Sequence, residues 1–417
     1  MTKIALASAF ALGCFALLSV APSRVAEARQ PPRVTGSSSG VLKLVACPKD
    51  SKEPRCQRAS SSNAGTIGSG VKFDSDGYPD IRGGFIEGSK LLVAVEWRDA
   101  FGGIVEVDLA TGNRTLVSGK RNDETQKGSG DPKLNDVDGL GGIQNVQALG
   151  NGKLLALVAT SASSRRFLIE VDRASGNRRL VWASELASTV DQKKVEAGAV
   201  KAESLCKTDK GPNAIPDQTA LAIAPNGAVY LGISNNPLGV GRAIARLSAA
   251  NGWRCERISS NDGTVPAIGK GFNPSRSQYV SSMVLAGGKL QVVYKGNAAL
   301  LASVELASGD RRRVSDAVRG DSVGAGPEVG GSGIAVDGNT AFTIGGFGST
   351  SWFLTSVDLT TGNRTELAAR TGSLSVVPTD RTPGVWVVPG SKFLLVNYDN
   401  AIHVLDPASG ASNLLSL

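Results

Sequence analysis

The sequence is poor in histidine, methionine and aromatic residues: its 417 residues include one His, two Met and 5% aromatic residues. The single histidine, His403, lies in the alternating run NAIHVLD, a pattern typical of a β-strand. Histidine is the usual general base and a frequent zinc ligand, so lyase chemistry and zinc sites built on histidine have little support. A serine triad is equally unsupported, because His403 is the only histidine that could act as its base. The sequence assigns no catalytic residue.

Concentrated charge is also missing. The formal net charge is +8, and the basic residues are scattered except for Arg311, Arg312 and Arg313. Nucleic-acid binding proteins cluster their basic residues on one face or interleave them with aromatic residues, and neither pattern occurs here. We therefore expect no nucleic-acid partner.

The N-terminus has the order of zones found in a secretory signal peptide. Lys3 precedes an apolar run over residues 4–21, and Ala26-Glu27-Ala28 forms a small-x-small cleavage site. We expect residues 1–28 to be removed and the protein to be exported, either to a periplasm or to the medium; the alternative is an uncleaved anchor. No later run reaches eighteen apolar residues, which predicts no transmembrane segment in the mature chain.

Four cysteines follow the predicted cleavage site. An even number of cysteines in an exported chain favours disulfide bonds. Cys47 and Cys56 are close in sequence and are predicted to pair, which leaves Cys206 for Cys255. Their spacing fits no zinc motif.

One eight-residue motif recurs along the rest of the chain. The six copies are VDLATGNR (107–114), VDRASGNR (171–178), LSAANGWR (247–254), VELASGDR (304–311), VDLTTGNR (357–364) and LDPASGAS (405–412). Every copy has a Gly at its sixth position, and five have an Arg two residues later: Arg114, Arg178, Arg254, Arg311 and Arg364.

Each copy has the chemistry of a β-hairpin. Alternating apolar runs flank it, the Asp can accept hydrogen bonds from the turn backbone, and the Gly tolerates a positive φ. The Arg lies roughly across the predicted hairpin from the Asp, so a cross-strand pair such as Asp108–Arg114 is expected to hold the register. This predicts a structural role for these arginines rather than ligand binding.

A second turn precedes each motif, which makes four strands per unit. These turns are EGSK (87–90), GNGK (150–153), PNGA (225–228), AGGK (286–289), DGNT (337–340) and PGSK (389–392). Six four-stranded units in series predict an all-β fold, a six-bladed β-propeller over residues 85–417. Residues 29–84 are predicted to be an N-terminal extension and closing segment, with the run 41–46 as an extra strand on the last blade. The alternative is a seven-bladed ring.

The repeats resemble the six-bladed propellers of the NHL and SMP-30/gluconolactonase-like superfamily, whose blades carry a similar V-D-x-x-T/S-G signature. The resemblance covers nearly the whole mature chain and implies a fold, because such propellers host many unrelated activities. The lactonases of this group hold a divalent ion on the axis with Glu, Asn and Asp. Asn145, Asp217 and Asn235 match part of such a set, while no matching Glu stands in the first unit.

The connections between units share a Gly-x-Gly element at 68–70, 128–130 and 324–326. We expect these connections to lie on one face around the mouth of the central channel, where loops on a rigid scaffold bind ligands. The residues that open each first strand are then the candidate binding residues: Asp80, Arg82, Gln144, Asn145, Asp217, Gln278, Tyr279, Asp380 and Arg381.

Two connections also have the acid-x-acid-Gly pattern of calcium loops, with Asp74 and Asp76 in one and Asp136 and Asp138 in the other. Neither has the Glu that completes an EF-hand loop. The sequence thus predicts a monomeric exported binding protein for a small molecule, glycan or protein. The alternative is a calcium-dependent lactonase or esterase with Asn145 and Asp217 as metal ligands and Ca²⁺ as its only cofactor.

Overall fold

The computed structural model describes residues 68–73, 79–97, 101–121, 125–130, 142–159, 166–183, 215–234, 242–253, 256–260, 268–274, 278–296, 298–317, 322–347, 351–371, 384–398, 401–409 and 412–416. These residues form six antiparallel sheets, here called blades 1 to 6 in chain order. The predicted signal peptide, all four cysteines of the predicted disulfides and the run 41–46 lie outside these ranges. Among the described residues, no helix has the length and hydropathy needed to cross a bilayer.

The first three blades occupy the N-terminal half of the ring. Blade 1 contains β1 (Pro79–Glu87), β2 (Lys90–Trp97), β3 (Phe101–Asp108), β4 (Arg114–Lys120) and the short β5 (Gln126–Lys127). Blade 2 contains β6 (Ile143–Gly150), β7 (Lys153–Ala159), β8 (Arg166–Asp172) and β9 (Arg178–Ala183). Blade 3 contains β10 (Ile215–Ile223), β11 (Val229–Ser234), β12 (Arg242–Leu247) and β13 (Glu256–Ser260).

The last three blades repeat this order. Blade 4 contains β14 (Tyr279–Ala286), β15 (Lys289–Lys295), β16 (Leu300–Glu305) and β17 (Arg311–Asp316). Blade 5 contains β18 (Gly333–Asp337), β19 (Thr340–Phe347), β20 (Ser351–Asp358) and β21 (Arg364–Thr371). Blade 6 contains β22 (Val385–Val387), β23 (Leu394–Tyr398), β24 (Ala401–Leu405) and β25 (Ser412–Ser416).

The blades form a closed ring. The first strand of each blade contacts the first strand of the next, and β22 contacts β1. The first strands therefore surround the axis, and the fourth strands, with β5 beyond β4 in blade 1, lie farthest from it. The prediction of six four-stranded units is confirmed, and the seven-bladed alternative is wrong. The first strand begins at Pro79, upstream of the predicted start at Phe85.

The core is divided among the spaces between neighbouring blades. On β2, Leu91 and Val93 pack towards blade 6, while Leu92 and Ala94 pack towards blade 2. Both faces of the sheet are thus buried, which explains why the strands read as apolar runs. Blade 6 closes against blade 1 in the same way, and the Trp386 indole adds a hydrogen bond of 2.9 Å to the Gly84 carbonyl.

The hairpin motif forms the turn between the third and fourth strands, as predicted. In blade 1, Asp108 Oδ1 accepts from the backbone N–H groups of Ala110 and Thr111, and Gly112 has a φ of 72°. The predicted pairing of Asp108 with Arg114 is wrong. The other oxygen of Asp108 accepts from Lys90 Nζ at 2.8 Å, and the Arg114 guanidinium turns towards Ser416 of blade 6 instead.

This turn makes stability depend on pH in the acid range. The hydrogen bond from Lys90 lowers the pKa of Asp108 from 3.8 to about 2. A carboxyl with a lowered folded pKa stabilises the fold above its unfolded pKa, and this contribution is lost as the pH falls through the folded value. We expect Asp108→Asn to lower the melting temperature at pH 7, with the gap from the native chain closing between about pH 4 and pH 2. Thermal melts across that range measure the gap; a gap that is constant with pH would contradict the prediction.

A three-residue contact, here called the latch, joins neighbouring blades. Between blades 3 and 4, Ser259 Oγ donates to the Gly309 carbonyl at 2.8 Å and accepts from the Arg311 guanidinium at 2.8 Å. Both side chains are buried. The same contact occurs at four interfaces, formed by Ser416, Gly112 and Arg114, by Ser118, Gly176 and Arg178, by Ser259, Gly309 and Arg311, and by Ser315, Gly362 and Arg364.

The Gly-x-Gly elements complete the latch. In a further Gly-x-Gly segment, 269–271, the Lys270 carbonyl accepts from Arg311 N at 2.7 Å, and Lys270 N donates to Asp310 Oδ1 at 2.6 Å. Segments 68–70, 128–130 and 324–326 bind the corresponding hairpins through the same carbonyl contact. The Gly-x-Gly elements are therefore not at the channel mouth, where the prediction put the connections: each lies against the hairpin that starts the outer strand of the following blade, and much of the remaining connections lies outside the described residues.

Two interfaces lack residues that the latch requires. Trp182 of blade 2 stands where Ser118 stands in blade 1, and in blade 5 this position is Ala368. Blade 6 has Ser412 in place of the Arg. These interfaces, between blades 2 and 3 and between blades 5 and 6, lie opposite each other in the ring. The latches therefore tie the blades into two groups of three.

Candidate functional site: the central channel

The first strands of all six blades line a cavity of about 280 Å³ on the axis. Its lining lies mainly in the half of these strands that leads to the turn before the second strand, as with residues 83–86 of β1 and 282–285 of β14. We call this end of the channel the turn end. Small-molecule sites occupy roughly 300–1,000 Å³, so this cavity lies at the lower end of that range and has room only for a small ligand.

Two glycines on β1 allow other groups to lie directly against the strand. A Cβ on Gly83 would lie 2.4 Å from Asn145 Cγ, and a Cβ on Gly84 would lie 2.2 Å from the Leu92 carbonyl oxygen. Glycine at these positions therefore lets the Asn145 side chain of blade 2 lie directly against β1. It also exposes the Gly84 carbonyl to hydrogen-bond donors from both neighbouring blades.

The polar part of the lining is neutral. The Gln147 side-chain amide donates to the Gly84 carbonyl and to Asn145 Oδ1, both at 3.3 Å. Ser282 of β14 and Ser332 beside β18 add two hydroxyl groups from the other side of the ring. Asn, Gln and Ser side chains offer both donors and acceptors, so the lining can bind hydrogen-bonding groups of either kind.

The rest of the lining is apolar. It includes Trp386 and Met283, which are buried. It also includes five half-buried aliphatic side chains next to the turn end: Ile86, Ile223, Leu285, Val336 and Val387. The cavity thus combines neutral hydrogen-bonding groups with aliphatic surface.

Three predicted site residues meet in a network at the other end of the first strands. Arg82 is 2.8 Å from Asp80 and 2.6 Å from Glu96, and it also donates to Gln144 Oε1 of blade 2. Gln144 in turn donates to the Gly142 carbonyl at 2.8 Å. The network pairs the Arg82 guanidinium with two carboxylates and connects blades 1 and 2. Of the predicted binding residues that the structure describes, Asn145 lines the cavity.

The remaining candidates lie apart or outside the described ranges. Gln278 is buried and donates to the Ala298 carbonyl at 3.1 Å, and Tyr279 pairs with Lys295 at the start of β14. Asp217 lies in β10, and its side chain is not among those that the structure describes. The other candidates that lie outside the described residues are Asp74, Asp76, Asp136, Asp138, Asn235, Asp380 and Arg381. Within the described ranges, no three His, Cys, Asp or Glu side chains form a group able to hold a metal ion.

Sequence reasoning missed most of the cavity. Gln147 follows Asn145 with the period of two that puts both on one face of a strand, so the run IQNVQALG held a usable signal. Ser282 and Ser332 had the weaker signal of small polar residues in or beside an apolar first strand. Trp386 carried no signal of its own, because nothing local shows that its strand lies on the axis.

Comparisons with known proteins yield no family, since no protein-family model and no curated protein matches the chain. Similar solved structures include TolB from Acinetobacter baumannii, at 12% identity and a TM-score of 0.42 over 75% of this chain and 59% of TolB. A chain of a nidogen/laminin complex has 9% identity and a TM-score of 0.44 over 75% of this chain and 86% of its own length. An oligogalacturonate lyase in complex with manganese has 13% identity and a TM-score of 0.42 over 83% of this chain and 85% of its own length.

The chain spans less than two thirds of TolB. Identities and TM-scores this low carry no argument about function. The identification of a six-bladed propeller rests on the sheet order and on the ring of first strands described above.

Proposed function

We propose that this protein is an exported binding protein that holds a small uncharged ligand in its central channel. The observation that carries the proposal is the cavity itself, which all six blades line with neutral hydrogen-bonding groups and apolar surface. Every blade contributes to one site on the axis, so a rigid ring holds the site in place before the ligand arrives. Such preorganisation lowers the entropic cost of binding.

The chemistry of the lining favours an uncharged ligand. Transferring an ionised group from water into a buried site is costly unless an opposite charge compensates it. Asn145, Gln147, Ser282 and Ser332 provide hydrogen bonds but no such charge. Uncharged sugars and amides present the donors and acceptors that these side chains complement.

Other parts of the proposal rest on the sequence. The segment 1–28 supports export to a periplasm or to the medium. We propose that the protein is a monomer. We also propose a small-molecule ligand rather than a glycan chain or a protein, because the cavity has the volume for a small molecule. The calcium-dependent hydrolase remains a prediction centred on Asn145 and Asp217.

A phenyl ring in place of the Ser282 side chain is expected to abolish ligand binding. Ser282→Phe places a ring in a cavity of about 280 Å³ and removes a hydroxyl group, so affinity should fall at least tenfold. The probes are glucose, N-acetylglucosamine, maltose and N-acetyl amino-acid amides, tested by thermal melting and calorimetric titration. The matched control is Ser356→Phe on β20, a third strand away from the axis.

The native chain and the control should bind the same member of this set. If no member raises the melting temperature of the native chain, or if Ser282→Phe binds as the native chain does, the proposal is wrong. Calcium chloride forms a separate arm: a rise in melting temperature that a chelator removes would favour the hydrolase instead.

A further inference from the structure

Six aliphatic side chains lie near the ends of the first strands, within a few residues of the turn that follows each strand. They are Ile86, Leu149, Ile223, Leu285, Val336 and Val387, one from each blade, and all are half-buried. We call this ring the collar. Single half-exposed aliphatic residues are common on protein surfaces, but here each of the six first strands contributes one near the same end of the channel.

The collar residues are held in place from behind. Ile86 packs against the core between blades 6 and 1, and Leu285 packs against the core between blades 3 and 4. Val336 and Val387 contact the cores of the next two interfaces. One side of each residue is therefore buried among apolar neighbours. All but Leu149 also line the cavity.

The polar groups lie deeper along the same strands. On β14, Leu285 is nearer the turn than Ser282, and in blade 5 Val336 is nearer the turn than Ser332. Gln147 likewise lies farther from the turn than Leu149 on β6. From the turn end inwards, the channel therefore changes from an aliphatic rim to a neutral hydrogen-bonding interior.

We propose that the ligand of this channel is amphipathic, with an uncharged polar group inside and an apolar group held by the collar. This inference rests on the proposed function and specifies the ligand class of that site. A ligand of this kind covers the aliphatic rim, and each methylene group buried there should raise affinity about fourfold. The closed ring and the small volume favour a small molecule over a polypeptide segment.

The neutral fluorescent probe N-phenyl-1-naphthylamine tests the collar without knowledge of the natural ligand. Its emission rises and shifts to the blue in apolar surroundings, and we expect saturable binding of one molecule per chain. Leu285→Asn puts an amide in the rim and should weaken binding at least tenfold. Leu306→Asn is the matched control, because Leu306 is another half-buried leucine packed against the same core but is not part of the cavity lining.

Val336→Asn is a second rim variant in a different blade, and it decides the outcome if Leu285→Asn does not fold. The inference holds if rim variants lose the probe while Leu306→Asn keeps it. Equal binding by rim and control variants, or no saturable binding by the native chain, overturns it. Binding of an uncharged sugar or amide without binding of the probe would leave the proposed function standing and reject the amphipathic ligand; failure of both would reject both.

Discussion

Replacing Arg311 with methionine is expected to destabilise the propeller by about 3–5 kcal/mol, because buried acceptors lose their charged donor. The Arg311 guanidinium donates to Ser259 Oγ and to the carbonyls of Ser260, Ile268 and Phe272. Methionine keeps the apolar part of the side chain but donates nothing. The loss therefore reports the hydrogen bonds rather than packing.

Arg312→Met is the matched control, since the neighbouring Arg312 lies on the same strand with an exposed side chain. Exposed substitutions of this kind usually change stability by about 0.5 kcal/mol or less. Thermal and urea unfolding of both variants at pH 7 measure the difference in their free energies of unfolding. Equal stability of the two variants would show that the latch between blades 3 and 4 contributes little.

Gly269→Ala is expected to cost about 3 kcal/mol or more, beyond the strain of its backbone conformation, because the new methyl group meets main chain that cannot move aside. Gly269 has a φ of 81°, and a Cβ there would lie 2.0 Å from the Gly309 carbonyl oxygen. Relief requires segment 269–271 to leave the hairpin. That movement would break the hydrogen bond from Arg311 N to the Lys270 carbonyl.

Gly288→Ala separates the two causes. Gly288 has a nearly equal φ of 76°, but nothing lies within 4 Å of its Cβ position. Alanine there bears only the left-handed backbone strain, about 1–2 kcal/mol. Urea unfolding of the two variants isolates the contribution of the close approach. If both substitutions lower the free energy of unfolding equally, segment 269–271 is free to shift and the hairpin does not depend on it.

The number of blades was predictable because the signals are local. Each turn lies within a few residues of the strands it joins, and the period of two in the strands identifies their buried faces. Asp108 was correctly expected to accept from its own turn, for the same reason. The closing strand predicted at 41–46 lies outside the described residues, whereas the contacts between blades 6 and 1 come from the strands of both blades.

The role of Arg114 was only half predictable. Its repetition with the blades indicated a structural function, which is confirmed. The chosen partner was wrong because Asp108 is close in sequence, whereas Ser416 is at the other end of the chain. That serine becomes a neighbour only when the ring closes. Gly-x-Gly segments were misplaced for a similar reason: their carbonyl contacts are with the hairpin of the following blade.

The channel likewise combines features that neighbouring residues decide with features that only ring closure decides. The sequence is sufficient to predict six antiparallel blades and a positive-φ Gly in every hairpin whose Gly the structure describes, because neighbouring residues decide those features. It placed Asn145 on the axis but also chose Asp80 and Arg82, and Arg82 forms ion pairs with both Asp80 and Glu96. The composition of the cavity depends on six strands that are distant in the chain and meet only around the axis. Ring closure therefore decides which polar side chains face one another and which neutralise each other inside a blade interface.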